Sequence, residues 1–534
     1  MIVPELRPWR AARPHVVRAA GAVRPRLARA ARAAEPHLAR FARATAPQLA
    51  RVTRPKTWQY TAGAATAGLA LAAGVVTAAG PWDSTGQRTA ERDRAVALEH
   101  SGGADHGRGS GGSGTASGSP RPAPSAASVL AGLGGAAGEV PGGANAAPDG
   151  RALSEVLGPL MDDPALGARP AAAVVDLTTG KRLYGLRADA PLTPASTTKI
   201  ATGVAALTAL GPDHRLTTRT ALEAGTGELV LVGGGDPTLT AREDARGLAS
   251  LRVLAEKTAA ALKKRDVREV TLSYDTTLYA GAEAHPIGVN ENLAPVTALM
   301  ADEARTDDST SGPVTRVPDP AADAARSFAG FLKKHGITAS APGPSKATDR
   351  ADTLATVSSP PLSALVERMM TNSDNDLAEA LARHTALAAG EPADFDGVSA
   401  AVPARLAQLG LPVRGSRFHD GSGLDRTDRI TAGLLTAMLA EAADPARPEL
   451  RPVLTGLPVA GFTGTLSGRY TDGAAGLVRA KTGTLTGVNT LAGTTVSADG
   501  RLLAFAFLAG DTTDAWAAQT ALDRLATTLA ADVP

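Results

Sequence analysis

From Ala152 onward the apolar positions of this chain fall into short, regular runs. Ala152 to Met161 carries them at helical spacing, which predicts an amphipathic helix. Ala171 to Asp176 and Lys181 to Gly185 are compact runs on either side of Leu177-Thr178-Thr179-Gly180, the pattern of two strands and a turn. Pro194 precedes a segment from Ile200 to Leu210 in which apolar and small residues alternate, predicting a buried helix with the proline at its edge. A helix from Leu362 to Met370 should stop before another begins at Leu377. Further on, Gly487 to Val496 and Leu502 to Leu508 read as strands, followed by a helix from Trp516 to Ala530. Strands at both ends of this region, with helices between and beyond them, predict one sheet assembled from both ends. The middle is left as an insertion plus an all-helical part.

The first 150 residues follow other rules. Residues 1–60 are rich in Arg, Ala and Pro, and form either basic amphipathic helices on an anionic membrane surface or a disordered basic tail. Residues 61–81 contain no charge and are about long enough to cross a bilayer. Trp58 and Tyr60 on one flank and Trp82 on the other suit interfacial anchors, and a buried core helix is the alternative. The Arg-rich side should stay in the cytoplasm, with everything after Trp82 outside the cell. Thr77-Ala78-Ala79 resembles a signal-peptidase site, but the long basic segment ahead of it favours an uncleaved anchor. Residues 82–150, dominated by Gly, Ser, Ala and Pro, cannot bury enough apolar surface to fold and read as a disordered linker. A folded domain is expected over 151–534, with an insertion at about 218–350.

At 534 residues the chain has room for roughly two or three domains. Its formal charge of +2 hides an asymmetry. The tail holds about a dozen Arg and Lys against Glu5 and Glu35, so the remainder is net acidic and gives no reason to expect a nucleic-acid partner. The absence of cysteine excludes disulfides, Cys-based zinc sites and thiol catalysis. The histidines are scattered without ligand spacing, so neither a catalytic metal nor another cofactor is expected.

Three short motifs carry chemistry. In Pro194-Ala195-Ser196-Thr197-Thr198-Lys199, Ser196 should lie at a helix N-terminus with Lys199 on the same face one turn later. A serine hydroxyl becomes a nucleophile when a neighbouring base takes its proton, and a desolvated lysine can be that base. The helix N-terminus adds N–H groups aimed where an oxyanion would form. The plain alternative is a helix cap followed by a solvated lysine. Ser373-Asp374-Asn375 falls between two predicted helices, where its side chains can project from a loop. Lys481-Thr482-Gly483-Thr484 leads toward the strand from Val488, and a glycine there lets a substrate backbone approach an edge strand. His419, Asp420 and Ser422 lie too close in sequence to converge as a Ser-His-Asp set. Gly233 to Asp236 lacks the following Lys-Ser/Thr of a phosphate loop and reads as a turn.

Ser-x-x-Lys, Ser-Asp-Asn and Lys-Thr-Gly in this order are the signature of penicillin-binding proteins and class A β-lactamases. With Gly233-Gly234-Gly235-Asp236-Pro237-Thr238-Leu239-Thr240, His419-Asp420-Gly421-Ser422-Gly423-Leu424 and Leu457 to Leu466, the chain resembles the class C low-molecular-mass penicillin-binding proteins. These are the D-alanyl-D-alanine carboxypeptidase/endopeptidase family. The resemblance covers about residues 151–530. It implies an α/β (α+β) fold of the serine β-lactamase/DD-peptidase transpeptidase type: an antiparallel sheet with helices on both sides, a helical subdomain, and an inserted domain between the first two motifs. About 170 residues separate Lys199 from Ser373, against about 60 in a class A β-lactamase, yet fewer than the family would suggest, so one inserted domain is expected to be reduced or absent.

By the same resemblance Ser196 is the acylated nucleophile and Lys199 its base. Ser373 relays a proton under the positive potential of Lys481, and Asn375 holds a substrate amide. Lys481 and Thr482, with Gly483 and Thr484, receive the substrate's terminal carboxylate, and the backbone N–H groups of Ser196 and Thr484 form the oxyanion hole. Arg426 and Asp275 match positions that recognise the free end of a diaminopimelyl side chain, although Asp275 also reads as a strand-end turn residue. The expected activity is a membrane-tethered serine DD-peptidase that trims or cleaves peptidoglycan stem peptides and is trapped by β-lactams. A β-lactamase and a non-hydrolytic penicillin-binding sensor or scaffold are the alternatives.

Overall fold

The computed structural model describes residues 150–531, apart from 224, 471 and 472. The tail, the expected span over 61–81 and almost all of the linker lie outside the described residues. Among those described, no helix is long and apolar enough to cross a membrane.

Helix α1 (Gly150–Met161) leads into the hairpin of β1 (Ala171–Asp176) and β2 (Arg182–Leu186). Asp176 shapes the turn between them by accepting the amides of Thr178 and Thr179 at 2.8 and 2.9 Å. A 3-10 turn, Ala195–Thr197, then runs directly into α2 (Thr198–Leu210). From there the chain leaves the first sheet and builds a second one. Its strands are β3 (Thr217–Leu222), β4 (Glu228–Val232), β5 (Glu269–Asp275), the short β6 (Thr338–Ala339) and β7 (Gly343–Pro344), and β8 (Asp352–Ser358). Helix α3 (Leu251–Lys264) crosses from β4 to the parallel strand β5, and α4 (Pro320–Lys334) crosses from β5 to β6. Leu254 and Leu262 of α3 and Phe328 and Leu332 of α4 bury themselves on this sheet, giving the insertion its own core.

The chain returns through five helices: α5 (Leu362–Asn372), α6 (Asn375–Ala389), α7 (Phe395–Gln408), α8 (Ala432–Ala443) and the short α9 (Arg451–Thr455). Strands β9 (Arg479–Leu485), β10 (Val488–Val496) and β11 (Leu502–Gly510) and helix α10 (Ala515–Ala530) complete the domain. The first sheet has the order β2-β1-β11-β10-β9 and is antiparallel throughout, so the N-terminal hairpin pairs with a strand more than three hundred residues later.

Both faces of this sheet are covered, which is why β1 and β11 read as nearly unbroken apolar runs and β10, although it carries Asn489 and three threonines, is buried along nearly its whole length. Alternate residues face opposite layers. Ala172, Val174, Phe505 and Phe507 pack against α1 and α10, whereas Ala173, Ala504, Ala506 and Leu508 face the helices that include α2, α5 and α8. The two phenylalanines stack at 5.2 Å between ring centres. On the opposite face the alanines let α2 and α8 come close, and α2 is buried along nearly its whole length. The sheet therefore fixes α2, and with it the Ser196 turn.

Phe505→Ala should destabilise the folded domain by about 3–5 kcal/mol, the usual cost of emptying a closed core site. Trp516→Ala, at a position 77% exposed, should change it by less than about 1 kcal/mol. Urea unfolding of the two variants measures the contrast, and equal midpoints would contradict this packing.

Candidate active site

The site starts from a backbone turn under constraint. Ala195 is fully buried with φ +49°, the left-handed region that costs an alanine about 1–2 kcal/mol. The turn is held there by the Pro194 carbonyl, which accepts from the hydroxyls of Thr197 (2.7 Å) and of Thr490 on β10 (2.8 Å). Two glycines press on it. A Cβ on Gly483 would lie 2.1 Å from the Thr490 hydroxyl and 2.7 Å from the Pro194 carbonyl oxygen, and one on Gly423 would lie 2.0 Å from the Ala195 carbonyl oxygen. The glycine of Lys-Thr-Gly thus serves close packing of β9 against the Ser196 turn. Ser196 itself is half-buried and faces the cleft. It sits in the 3-10 turn and not in α2, yet the expected three-residue offset still brings Lys199 to its side.

Lys199, on the first turn of α2, has no solvent exposure. Its Nζ donates to Ser196 Oγ at 3.2 Å, Asn375 Oδ1 at 2.7 Å and the Ser422 carbonyl at 2.7 Å. Burial lowers its pKa to about 8, against the opposing pull of Asp420, Glu379, Asp374 and Asp376. That range lets the amine take a proton from a hydroxyl near neutral pH.

Ser373, Asp374 and Asn375 occupy the joint between two helices. Ser373 is the C-cap of α5 in left-handed conformation, φ +56°. Asp374 caps α6 by accepting the Leu377 amide at 3.0 Å, and Asn375 opens that helix. This sharp break turns Ser373 toward β9, where Lys481 Nζ donates to its Oγ at 2.8 Å. Lys481 is also fully buried, and burial together with the charge of Lys199 holds its pKa well below the ordinary lysine range. The Asn375 amide group donates to the Asn292 carbonyl at 2.8 Å, so the insertion helps to orient it.

Lys481, Thr482, Gly483 and Thr484 lie within β9 itself, the edge strand of the sheet, and precede the turn to β10. Ser196, Ser373, Asn375, Thr482 and Thr484 all line one cleft of about 440 Å³. Its far wall includes Asn292, Arg305 and Arg316 from the insertion and Thr465 and Arg469 from the approach to β9. Thr465 bonds the Thr482 hydroxyl at 2.9 Å. The buried acids beside the cleft are already answered by cations: Glu303 by Arg305 and Arg368, Asp376 by Arg316 at 2.8 Å.

Two expected substrate contacts fall outside this cleft. Asp275 ends β5 buried, with its carboxylate oxygens accepting the amides of Thr277 (2.8 Å) and Ala347 (2.9 Å). It lines a separate cavity of about 480 Å³ beside His214 and His384. Arg426 is exposed beyond the cleft-lining residues, and its guanidinium donates to the Thr486 carbonyl at the β9–β10 turn. His419, Asp420 and Ser422 form no exposed set: Ser422 is buried and its hydroxyl donates to Asp420. Sequence reasoning missed the Ser422 carbonyl, which no side-chain pattern can name, and the insertion residues Asn292, Arg305 and Arg316.

Comparison with known proteins places these motifs in context. The pattern of the D-Ala-D-Ala carboxypeptidase 3 (S13) family matches residues 153–312 and 306–529. A carboxypeptidase of Mycobacterium tuberculosis is 36% identical over 428 residues, 77% of this chain and 89% of that one. Carboxypeptidase DacB of Mycolicibacterium smegmatis is 36% identical over 400 residues, 72% and 84% of the two chains. Among solved structures, penicillin binding protein 4 of Haemophilus influenzae aligns with a TM-score of 0.57 at 22% identity, covering 69% of this chain and 97% of that one, and shares the fold.

Selective carbon labelling of the lysine ε positions, followed by a pH titration, should resolve one amine with a midpoint near pH 8, assigned by its loss in Lys199→Arg. Exposed lysines titrate near about 10.4. A Lys199 midpoint in that ordinary range would contradict its burial.

Proposed function

Because the chain belongs to the D-Ala-D-Ala carboxypeptidase 3 (S13) family, we propose that it is a serine DD-peptidase acting on peptidoglycan stem peptides through an acyl-enzyme on Ser196. The observation that carries this reading is the 3.2 Å contact between a fully buried Lys199 amine and a cleft-facing Ser196 hydroxyl, with Ser373, bonded by the buried Lys481, lining the same cleft.

The free amine of Lys199 takes the Ser196 proton as Oγ attacks the carbonyl carbon of the penultimate D-Ala. The Ser196 and Thr484 backbone N–H groups receive the oxyanion. Collapse breaks the C–N bond, and Ser373, under the potential of Lys481, passes a proton to the departing amine. Water then gives a proton back to Ser373 Oγ as it attacks the acyl carbon, and the departing Ser196 Oγ takes back the proton held by Lys199. Asn375 holds the substrate amide, while Lys481 and Thr482 receive the terminal carboxylate. A departing free D-Ala makes the reaction a carboxypeptidase step. A departing D-amino centre of a cross-link makes it an endopeptidase step, because both substrates present a D-alanyl carbonyl. A β-lactam offers the same carbonyl and blocks turnover as a stable ester.

The membrane tether belongs to the same proposal. The uncharged run at 61–81 and its aromatic flanks support an uncleaved anchor with residues 1–60 in the cytoplasm. The linker gives the catalytic domain reach into the wall outside the cell.

The full chain should carry a fluorescent penicillin covalently and release D-Ala from a muropeptide ending in D-Ala-D-Ala, whereas Ser196→Ala should do neither. Rapid loss of the label with no D-Ala released would indicate a β-lactamase, and stable label without turnover a sensor. The acylation rate should climb with pH as Lys199 loses its proton and level off above about pH 9, roughly one unit past its pKa. A rate that falls over that interval would contradict the amine as base.

A further inference from the structure

Behind Lys199 lies a buried network that the reaction, as described, does not use. The loop from His419 to Asp428 joins α7 to α8 and sends one peptide group to the base: the unit formed by the Ser422 carbonyl and the Gly423 N–H. The carbonyl accepts from Lys199 Nζ at 2.7 Å, and the N–H of the same peptide donates to Asp420 Oδ1 at 2.6 Å. A carboxylate and an ammonium are thus joined through one polarisable peptide, and each strengthens the other's bond to it.

The rest of the loop is arranged around the same carboxylate. Asp420 Oδ2 accepts from the Asp425 amide at 2.8 Å and the Ser422 hydroxyl at 3.1 Å, and pairs with His285 Nε2 at 2.9 Å. His285 comes from the insertion, and both members of this pair are buried, with side-chain exposures of 2% and 0%. The preceding peptide repeats the pattern, with the Ser422 N–H on Glu379 at 2.9 Å and the Gly421 carbonyl accepting from Thr202 on α2 at 2.6 Å. Of the three buried carboxyls here, burial and the charge of Asp420 raise Asp428 to about 10 and Glu379 to about 7. Asp420 is held below the ordinary carboxylate range: burial pushes it up, but the His285 bond and two amides outweigh that. It is therefore the resident anion.

We propose that Asp420 is a positioning residue for Lys199, acting through the Ser422–Gly423 peptide, and that the His285 contact makes the insertion part of this support. The proposal rests on Lys199 being the base that activates Ser196. The groups facing the lysine are Ser196, Asn375, the Ser422 carbonyl and Lys481, with Glu379, Asp374 and Asp376 as the further charges that act on it besides Asp420. Those facing Asp420 are His285, Glu379, Ser422, Asp425 and Asp428. Removing the anion while keeping an acceptor for Gly423 leaves the ammonium less favoured, so the pKa of Lys199 falls and its free amine persists to lower pH.

The test is the pH profile of fluorescent-penicillin acylation of the full chain, with Asp420→Asn beside the unaltered protein. The expected result is an acid limb moved to lower pH by roughly half to one pH unit, with a plateau rate lowered about ten-fold through looser alignment. A purely structural role would lower the melting temperature and the labelled fraction but leave the limb in place. A folded Asp420→Asn chain with an unmoved limb therefore overturns the proposal. If that chain fails to fold, Asp420→Ser, which also removes the charge and keeps a hydroxyl, is held to the same two outcomes. Loss of acylation in Ser196→Ala tests the underlying reading separately, since that reading survives an unmoved limb and falls if the serine variant still acylates.

Discussion

An ammonium removed from water must find acceptors for its protons, and Lys199 finds three: a hydroxyl, a side-chain amide and a main-chain carbonyl. Each comes from a different part of the chain, so this one cation ties the Ser196 turn, the start of α6 and the loop before α8 into a single geometry. Desolvation supplies the chemistry as well as the constraint. An exposed lysine is a poor base at neutral pH because nearly all of it is protonated, whereas one held near pH 8 keeps about a tenth of its population free at pH 7. The second buried lysine, Lys481, is satisfied in the same way and depends on Ser373 and the Thr482 carbonyl for its own acceptors.

The fold provides this geometry by layering. The first sheet is closed by strands from both ends of the domain and carries α2 on its small-residue face. The edge strand β9 then runs past the N-terminal end of that helix, pressed to it at Gly483. A strained alanine, a left-handed serine and two glycines with no room for a Cβ all sit within this contact. Strain gathered at one place and supported by the surrounding layers is characteristic of a site whose atoms must not drift. The insertion contributes more than a wall. Asn292 orients Asn375, and His285 reaches the loop behind Lys199.

Much of this was legible in the residues because it depends on local patterns. The strands at 171–176 and 502–510 follow from apolar runs, and the first two motifs fall at element ends where side chains can converge, whereas Lys481 to Thr484 lie inside a strand of their own. The break at Ser373 could be placed because one helical pattern stops and another starts there. What the sequence left open rests on atoms without side-chain identity or on long-range placement. The Ser422 carbonyl could come from any residue type. Asp275 lay at a strand end as read, but only the path of the second sheet decides that its oxygens meet Thr277 and Ala347 outside the Ser196 cleft. Asp420 was visible as part of a Gly-rich stretch, yet its partner His285 lies 135 residues earlier, and nothing in the spacing joins them.

The central claim is that one hydroxyl among several serines near the cleft becomes acylated because a buried amine stands beside it. Digestion with trypsin of the penicillin-treated chain, followed by mass mapping, tests this directly. The peptide 188–199 contains Ser196 as its only serine and ends at Lys199, while 369–383 contains Ser373. The account predicts the drug's mass on 188–199 alone. The adduct on 369–383, or on the peptide bearing Ser422, would contradict it.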